Sequence, residues 1–371
     1  MKRWNSMVIT ILFLLFLFGI AASGLLLPDR KFSQLENRYL KLQPDWSLHR
    51  MMNGLWMDEM EDYLSDQIAG RDLWICLQGW SERLSGKKEN NGVYFGKKDT
   101  LISRVEEPNE RLLFQNVDYV NSLAEQAGVP VSFGLIPTKA AIWADRLPDD
   151  APTADEYVWI QKAYGKSNVQ NLDFYQALYS HGEEPVFYRT DHHWTSLGAL
   201  YGADTIRKAW GLPGIRPEDY RPVQVSDSFC GSDWSSAAAV WTAPDSVERY
   251  VSDEGISVTV YPKGEAVEGS LYEEESLQKK NQYEYFLGGN QPLAVICSSH
   301  TDKPKLLLLR DSFSDCMVPF LADAFSEIHL FDLRYNHTNV TDYIRDRQID
   351  RVAVIYGFQT FVTDTNMSHV N

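Results

Sequence analysis

The chain has 371 residues, enough for one large α/β domain with smaller additions. Apolar residues make up 44% and charged residues 23%, the balance of a globular protein with a hydrophobic core. The formal net charge of −16 repels phosphate backbones, so nucleic acid is excluded as an expected partner.

The N-terminus has the pattern of a transmembrane signal anchor, which we predict at residues 1–29. Lys2 and Arg3 precede Met7–Leu27, a stretch of 21 residues without charge. A helix of that length spans a hydrocarbon core of roughly 30 Å. Because the basic residues come first, the rest of the chain is expected outside the cytoplasm, on a single-pass protein of the cell membrane. A cleaved signal peptide, with Ala21-Ala22-Ser23 as its cleavage site, is the alternative.

Residues 30–105 are predicted to form a membrane-proximal linker and a helical segment. Residues 28–48 are polar and hold two prolines, and from Met51 to Leu84 apolar residues recur at three- and four-residue spacing. Four cysteines are spread along the chain without a C-x-x-C pair, namely Cys76, Cys230, Cys297 and Cys316. No zinc site is therefore expected, and the presence of one disulfide stays open.

Residues 106–371 show alternating strands and helices, with a mixed insertion around residues 213–285. The clearest strand is Lys305–Arg310, an apolar run typical of a strand buried on both faces. The alternation predicts an α/β fold of three layers, in which a parallel sheet is flanked by helices. The predicted strands are 129–136, 305–310, 327–333 and 351–356, and the predicted helices are 115–126, 196–210, 315–326 and 340–348.

The segment Thr190-Asp191-His192-His193-Trp194-Thr195 is the first motif that points to chemistry. On an extended segment Asp191 and His193 share one face. A carboxylate beside an imidazole fixes its tautomer and stabilises the imidazolium that forms during proton transfer. A pair of histidines that make only structural hydrogen bonds is the alternative interpretation.

The segment Arg310-Asp311-Ser312-Phe313-Ser314 is the second motif. It lies where the predicted strand 305–310 ends and a predicted helix begins, and such turns present nucleophiles in α/β enzymes. The first N–H groups of the helix can stabilise an oxyanion there. The alternative is that a serine only caps the helix. Asp227-Ser228-Phe229 repeats the tripeptide without a preceding strand, so Ser312 is the preferred nucleophile.

Together the two motifs predict acyl transfer by a Ser-His-Asp enzyme. Ser312 would attack an ester carbonyl, His193 would take its proton, and Asp191 would orient His193. With a histidine of ordinary pKa, about 6.5, as the base, activity should rise through roughly pH 6 to 7. No cofactor and no metal are expected.

The TDHHWT block and the later strand-Asp-Ser-Phe block resemble the DHHW family, which is related to alginate O-acetyltransferase proteins with circularly permuted SGNH-hydrolase domains. The permuted form requires Asp191-x-His193 to precede Ser312, as it does here. Arg310 departs from the usual pattern, because the ordinary nucleophile block has glycine at that position. Supporting pieces are Glu36-Asn37-Arg38, Ile136-Pro137-Thr138-Lys139, Leu287-Gly288-Gly289-Asn290 and Asp332-Leu333-Arg334-Tyr335.

The resemblance implies an SGNH-type O-acetyltransferase or carbohydrate esterase of the cell envelope. Its substrate would be a secreted or cell-surface polysaccharide, and its acetyl donor a multi-pass membrane acyltransferase. Asn290, Arg334, Tyr335 and Trp194 are the candidates for oxyanion or substrate contacts.

Two other functions stay open from the sequence. One is a catalytically silent protein that binds or assembles polysaccharide, suggested by Arg310 and by an aromatic content of 13%. The other is a DHH-type metal phosphoesterase that uses Asp191, His192 and His193 as ligands, although the chain has no D-x-D motif to complete a two-metal site.

Overall fold

The computed structural model describes residues 2–370, apart from the side chains of residues 2–5, 21–23 and 25. The chain divides into two compact units. The smaller unit combines the chain up to Asn90 with Ser235–Trp241. The larger unit combines Asn91–Trp234 with the chain from Thr242 onward. The boundaries predicted at residues 29 and 105, and the insertion at 213–285, remain predictions.

The smaller unit is mainly helical, and its predicted helical segment is divided by two glycines. Gly54 and Gly70 adopt positive φ angles of 83° and 68° at the N-caps of the helices that begin at Leu55 and Arg71. Its elements are α1 (Lys2–Leu26), β1 (Phe32–Ser33), β2 (Arg38–Tyr39), α2 (Leu48–Met52), α3 (Leu55–Asp66), α4 (Arg71–Leu84) and β3 (Glu89–Asn90).

An ion-pair network holds the segment before α2 against α3 and α4. The Arg38 guanidinium donates to both carboxylate oxygens of Asp66, at 2.6 and 2.9 Å. Arg71 donates to both oxygens of Glu36, at 2.9 and 3.0 Å. Bidentate pairs of this kind fix orientation as well as distance. Glu36 and Arg38 of the Glu36-Asn37-Arg38 piece therefore have a structural role within this unit.

In the part of the chain that is described, no helix combines the length and the apolar character that crossing a membrane requires. The transmembrane anchor predicted at residues 1–29 gains no support from this result. Some of its side chains, at residues 2–5, 21–23 and 25, lie outside the described ones, as does residue 1.

The larger unit has the predicted alternation of strands and helices. Its strands are β4 (Val93–Phe95), β5 (Leu101–Ser103), β6 (Val131–Ile136), β7 (Gln170–Leu172), β8 (Val223–Phe229), β9 (Asp245–Arg249), β10 (Ser257–Val260), β11 (Val267–Gly269), β12 (Leu293–Cys297), β13 (Lys305–Arg310), β14 (Glu327–Phe331) and β15 (Arg351–Gly357). The helices are α5 (Glu110–Ala127), α6 (Lys139–Ile142), α7 (Glu156–Lys166), α8 (Phe174–Ser180), α9 (Ser196–Ala209), α10 (Ser232–Ala237), α11 (Val340–Arg347) and α12 (Phe358–Thr363). The last three residues of α10 belong to the smaller unit.

The central sheet has eight strands in the order β11-β10-β12-β14-β13-β15-β6-β7. The five strands from β14 to β7 are parallel to one another. The remaining three strands correct the prediction of a purely parallel sheet. At that edge β12, β10 and β11 pair antiparallel. These three strands come from residues 257–297, and β10 lies between β11 and β12 at this edge. The architecture is therefore α/β with a mixed, mostly parallel sheet, and the circular permutation remains a prediction.

Two apolar clusters cover the two faces of this sheet. Along β13, Leu306 and Leu308 belong to one cluster, while Leu307 and Leu309 belong to the other. The four leucines are fully buried, as the continuous apolar run predicted. The strand ends in the middle of the sheet, which places the residues after Arg310 at its carboxyl edge.

The helix predicted at residues 315–326 is wrong. Two short 3₁₀ turns, Ser312–Ser314 and Val318–Leu321, stand in its place. Pro319 explains the difference, because proline lacks the N–H that an α-helix needs and its ring clashes with the carbonyl four residues earlier.

Candidate active site

Ser312 opens the 3₁₀ turn directly after β13, and Asp311 caps that turn. The Asp311 carboxylate accepts hydrogen bonds from the N–H groups of Phe313, at 3.1 Å, and Gly357, at 2.8 Å. Gly357 ends the neighbouring strand β15, so the turn is tied to two parallel strands. Burial raises the pKa of Asp311 despite these hydrogen bonds. This arrangement holds Ser312 half-buried at the sheet edge.

The Asp191–His193 segment lies in a tight loop before α9, which we call the catalytic loop (residues 188–195). The backbone of Phe187 pairs with that of Trp194, and the Tyr188 N–H donates to the His193 carbonyl at 3.2 Å. The Trp194 indole N–H donates to the Phe313 carbonyl at 2.8 Å. This bond connects the catalytic loop directly to the turn that carries the serine.

The structure brings Ser312, His193 and Asp191 together. The Ser312 Oγ lies 2.8 Å from His193 Nε2, and His193 Nδ1 lies 2.6 Å from Asp191 Oδ1. The carboxylate can only accept, so Nδ1 carries the proton of the neutral ring and Nε2 accepts from the Ser312 hydroxyl. Asp191 Oδ1 also accepts from the His193 N–H at 2.9 Å, and Oδ2 accepts from the Ser232 N–H at 2.7 Å. The geometry is that of a nucleophile, a base and an orienting acid.

Burial and the two neighbouring histidines shift the pKa values of Asp191 and His193. Burial alone would raise the pKa of Asp191, but His192, His193 and the Ser232 N–H hold it well below its usual range. Burial lowers the pKa of His193 to about 4, and the charge of His192 acts in the same direction against the pull of Asp191. The expectation of an ordinary pKa near 6.5 for His193 is therefore corrected.

This shift changes the expected pH dependence. The base must be neutral, and its neutral fraction rises as the pH passes through about 4. We expect acylation by an activated ester to reach half its maximum near pH 4 and to stay flat from about pH 6 to 8. Turnover of p-nitrophenyl acetate across this range, corrected for the rate without protein, measures it. A midpoint near pH 6.5 would show that the folded protein does not depress the pKa of His193.

Tyr283 is a site residue that sequence analysis missed. Its ring stacks on the His193 imidazole, with centroids 3.8 Å apart and planes 7° from parallel. Its hydroxyl donates to the Ser312 carbonyl at 3.0 Å. The residue therefore contacts both the His193 ring and the turn that carries Ser312. It lies within residues 213–285, the segment predicted as a mixed insertion, where no motif marks it.

Arg310 stands where the related pattern has glycine, and the structure shows where its side chain goes. The side chain is fully buried and lies 3.0 Å from Asp315 Oδ1. Its Nη1 also donates to the Asn290 side-chain oxygen at 3.2 Å. Burial raises the pKa of Asp315 to about 7, against the attraction of Arg310. Asn290 is thus connected to the strand that carries the serine, through Arg310.

Arg334, Tyr335 and Trp194 are the other predicted oxyanion or substrate contacts, and their surroundings differ from those of Asn290. Both carboxylate oxygens of Asp332 accept from Arg334, at 2.8 and 2.6 Å, and the Arg334 guanidinium lies over the Tyr335 ring. Tyr335 is 54% exposed. Trp194 is fully buried, so it supports the nucleophile turn and offers no surface to a ligand.

A cavity of about 290 Å³ is lined by His192 and Phe313, the sequence neighbours of His193 and Ser312. The other lining residues are Gly357 and residues that supply hydroxyl, ammonium, amide and aromatic groups, namely Ser103, Thr138, Lys139, Phe358, Gln359, Thr360 and Thr363. The volume fits a drug-sized or smaller ligand and lies at the lower end of usual binding pockets. Of the resemblance pieces, Ile136-Pro137-Thr138-Lys139 therefore contributes Thr138 and Lys139 to the lining of this cavity.

The donor atoms of Asp191, His192 and His193 lie within 4.8 Å of one another, as a metal site would require. Their hydrogen bonds argue for another use. Both Asp191 oxygens, His193 Nδ1 and His193 Nε2 already bind protein groups. His192 Nδ1 lies 2.7 Å from the Ser232 hydroxyl. Metal binding would require most of these bonds to break, so the donor set fits proton transfer better than metal coordination.

The chain resembles known proteins both in sequence and in structure. Residues 94–227 match the family model described as the SGNH hydrolase-like domain of the acetyltransferase AlgX. The probable alginate O-acetylase AlgJ of Pseudomonas syringae pv. tomato is 25% identical over 174 residues, which cover 43% of this chain and 44% of the relative. The chain thus matches less than half the length of that relative.

Two solved structures extend the likeness to the larger part of the chain. A DHHW family protein from Eubacterium siraeum is 26% identical, with a TM-score of 0.66, and the match covers 76% of this chain and 95% of that one. Bacillus cereus PatB1, solved with a sulfonyl adduct, is 21% identical with a TM-score of 0.64. That match covers 74% of this chain and 97% of PatB1, and it shows a shared fold. The resemblance of this chain to the DHHW family and to the SGNH-like domain of AlgX and AlgJ is confirmed.

Proposed function

We propose that this chain transfers acetyl groups to or from a polysaccharide through an acyl-enzyme on Ser312. The observation that carries the proposal is the hydrogen-bonded series Ser312–His193–Asp191, with distances of 2.8 and 2.6 Å. The neighbouring residues His192 and Phe313 line a cavity. The likeness to AlgJ, described as a probable alginate O-acetylase, supports a polysaccharide as substrate.

In the first half of the reaction the Ser312 oxygen would attack the carbonyl carbon of an acetyl ester. His193 Nε2 would take the hydroxyl proton, and the positive imidazolium would be stabilised by Asp191. The Ser312 N–H, at the start of its turn, would donate to the oxyanion. The proton would then pass from His193 to the leaving oxygen as the ester bond breaks.

In the second half an acceptor oxygen would attack the acyl-enzyme. His193 would take the proton of the acceptor hydroxyl, the bond from Ser312 to the acetyl carbon would break, and the Ser312 oxygen would regain a proton. A sugar hydroxyl as acceptor makes the protein a transferase, and water makes it an esterase. Both outcomes use the same residues.

We also propose that the protein works outside the cytoplasm and receives acetyl groups from a multi-pass membrane acyltransferase. Lys2 and Arg3 before an uncharged stretch motivate the first part, and the resemblance of the sequence motifs to the DHHW family motivates the second. Protease treatment of intact cells would digest the chain if it lies outside. Protection of the chain until the cells are lysed would contradict this location.

Release of p-nitrophenol from p-nitrophenyl acetate tests the catalytic proposal. We expect turnover by the full-length chain and loss of at least about 1,000-fold in Ser312→Ala, because residual rates in such variants come from binding and oxyanion stabilisation alone. Ser228→Ala is the matched control, because Ser228 is the exposed serine of the second Asp-Ser-Phe tripeptide. Equal loss in both variants, or none in either, would contradict the assignment of Ser312.

A further inference from the structure

Residues 230–234, which we call the clamp segment, lie along the backbone of the catalytic loop. The Gly231 N–H donates to the Thr190 hydroxyl at 3.1 Å, and the Trp234 N–H donates to the Thr190 carbonyl at 2.9 Å. Between them the Ser232 N–H donates to Asp191 Oδ2 at 2.7 Å. Three N–H groups of one short segment therefore hold two consecutive residues of the loop.

Gly231 makes this contact close. A Cβ at this position would lie 2.2 Å from the Asp191 Cβ and 2.4 Å from its Oδ2. Any side chain at residue 231 would therefore push the carboxylate away from its present place. The backbone approach that glycine allows is used here behind the acid of the triad.

The Ser232 side chain reaches the other histidine of the motif. Its hydroxyl lies 2.7 Å from His192 Nδ1, and the His192 ring lies 3.8 Å from the His193 ring, centroid to centroid. The His192 side chain is 46% exposed and lines the cavity beside Phe313. With Nδ1 bound to Ser232, Nε2 is the ring nitrogen that remains for a ligand in the cavity.

A buried ion pair anchors the clamp segment. Asp233 Oδ2 lies 2.6 Å from Lys139 Nζ, and Asp233 Oδ1 accepts from the Ser103 hydroxyl at 2.6 Å. The same Lys139 ammonium donates to the carbonyls of Asp191, at 2.8 Å, and Tyr188, at 3.2 Å. Lys139 thus fixes the catalytic loop and the clamp segment together.

We propose that Ser232 is a positioning residue with two separate functions, and that His192 binds the acceptor. The Ser232 N–H orients Asp191, whereas its hydroxyl orients His192 so that Nε2 hydrogen-bonds the hydroxyl group of an alcohol acceptor in the cavity. His192 only holds the acceptor oxygen. The acceptor proton goes to His193, and the new ester bond forms as the Ser312 ester bond breaks. The proposal rests on the acyl-transfer function proposed above.

The test separates acylation from transfer in the full-length chain. p-Nitrophenyl acetate supplies the acetyl group, and methyl β-D-glucopyranoside is the acceptor. The burst of p-nitrophenol gives the acylation rate, and the acetylated glucoside, measured by mass spectrometry, gives the KM for the acceptor. The variants are Ser232→Ala, Ser232→Thr and His192→Phe, with Ser228→Ala as the control outside the site.

We expect Ser232→Ala and His192→Phe to raise the KM for the glucoside about tenfold, equivalent to one hydrogen bond of about 1.4 kcal/mol. The acylation rate of both variants should fall by a smaller factor than this change in KM. Ser232→Thr keeps a hydroxyl and should restore most of the loss. Gly231→Ala displaces Asp191 and should instead slow acylation by about 100-fold or more. If Gly231→Ala does not fold, the comparison of Ser232→Ala with Ser232→Thr decides alone.

An unchanged acceptor KM in Ser232→Ala, or acylation slowed as much as transfer, would overturn the proposal. So would a wild-type acyl-enzyme whose decay the glucoside does not accelerate. Absence of any burst from the wild-type chain would be a different result, because it would overturn the proposed function itself and the inference with it.

Discussion

Replacement of Asp191 by asparagine is expected to lower the acylation rate by about 10,000-fold while the protein stays folded. Asp191 accepts from His193 Nδ1–H at 2.6 Å and from the Ser232 N–H at 2.7 Å. In the Asp191→Asn variant the amide oxygen would keep the bond to the Ser232 N–H, which turns the amide NH₂ towards His193. The ring would then carry its proton on Nε2, so it could not accept a proton from Ser312.

The rate of the p-nitrophenol burst measures this loss, and circular dichroism measures the fold. Asp227→Asn is the control, because Asp227 is the exposed acid of the second Asp-Ser-Phe tripeptide. Acylation by Asp191→Asn within about tenfold of wild type would remove Asp191 from the mechanism.

Replacement of Trp194 by alanine should have the largest effect on stability. The indole is fully buried, and its edge approaches α9 so closely that a Cβ on Gly202 would lie 2.7 Å from the ring. Its N–H donates to the Phe313 carbonyl at 2.8 Å. Removal of a large buried ring costs about 3–5 kcal/mol of the free energy of unfolding. The lost bond would also release the turn that carries Ser312.

Denaturant unfolding of Trp194→Ala, Trp194→Phe and Tyr335→Ala tests this expectation. Trp194→Phe keeps a ring but loses the N–H, so its loss should be smaller and its acylation should still be impaired. Tyr335→Ala removes an exposed ring and should change the free energy of unfolding by less than about 0.5 kcal/mol. Equal stability of Trp194→Ala and wild type would contradict the structural role of Trp194.

The sequence predicted the three residues that the structure brings together because each belongs to a short, distinctive segment. Asp191 and His193 are two residues apart, and Ser312 follows a continuous apolar strand. The apolar run along β13 also predicted burial on both faces. The two segments are far apart in the sequence, and His193 meets Ser312 only in the folded chain. This proximity could be expected only from the chemistry that the residue types imply.

The residues that support the triad could not be predicted in the same way. Tyr283 and Ser232 lie within residues 213–285, the predicted insertion, which has no periodic pattern. Each reaches the site only through the tertiary fold. The tripeptide Asp227-Ser228-Phe229 was set aside as a nucleophile, yet the residues that follow it hold Asp191. The antiparallel edge strands and the effect of Pro319 on the turn after Ser312 were missed for another reason. The prediction followed the local strand and helix patterns.

The central claim is a covalent acetyl group on Ser312. The most direct measurement is mass spectrometry of the intact full-length chain after brief incubation with p-nitrophenyl acetate, followed by mapping of the modified peptide. We predict an increase of one acetyl group, located at Ser312, in wild type and in Ser228→Ala, and no increase in Ser312→Ala. An unmodified wild-type chain, or an acetyl group at the same level in Ser312→Ala, would contradict the claim.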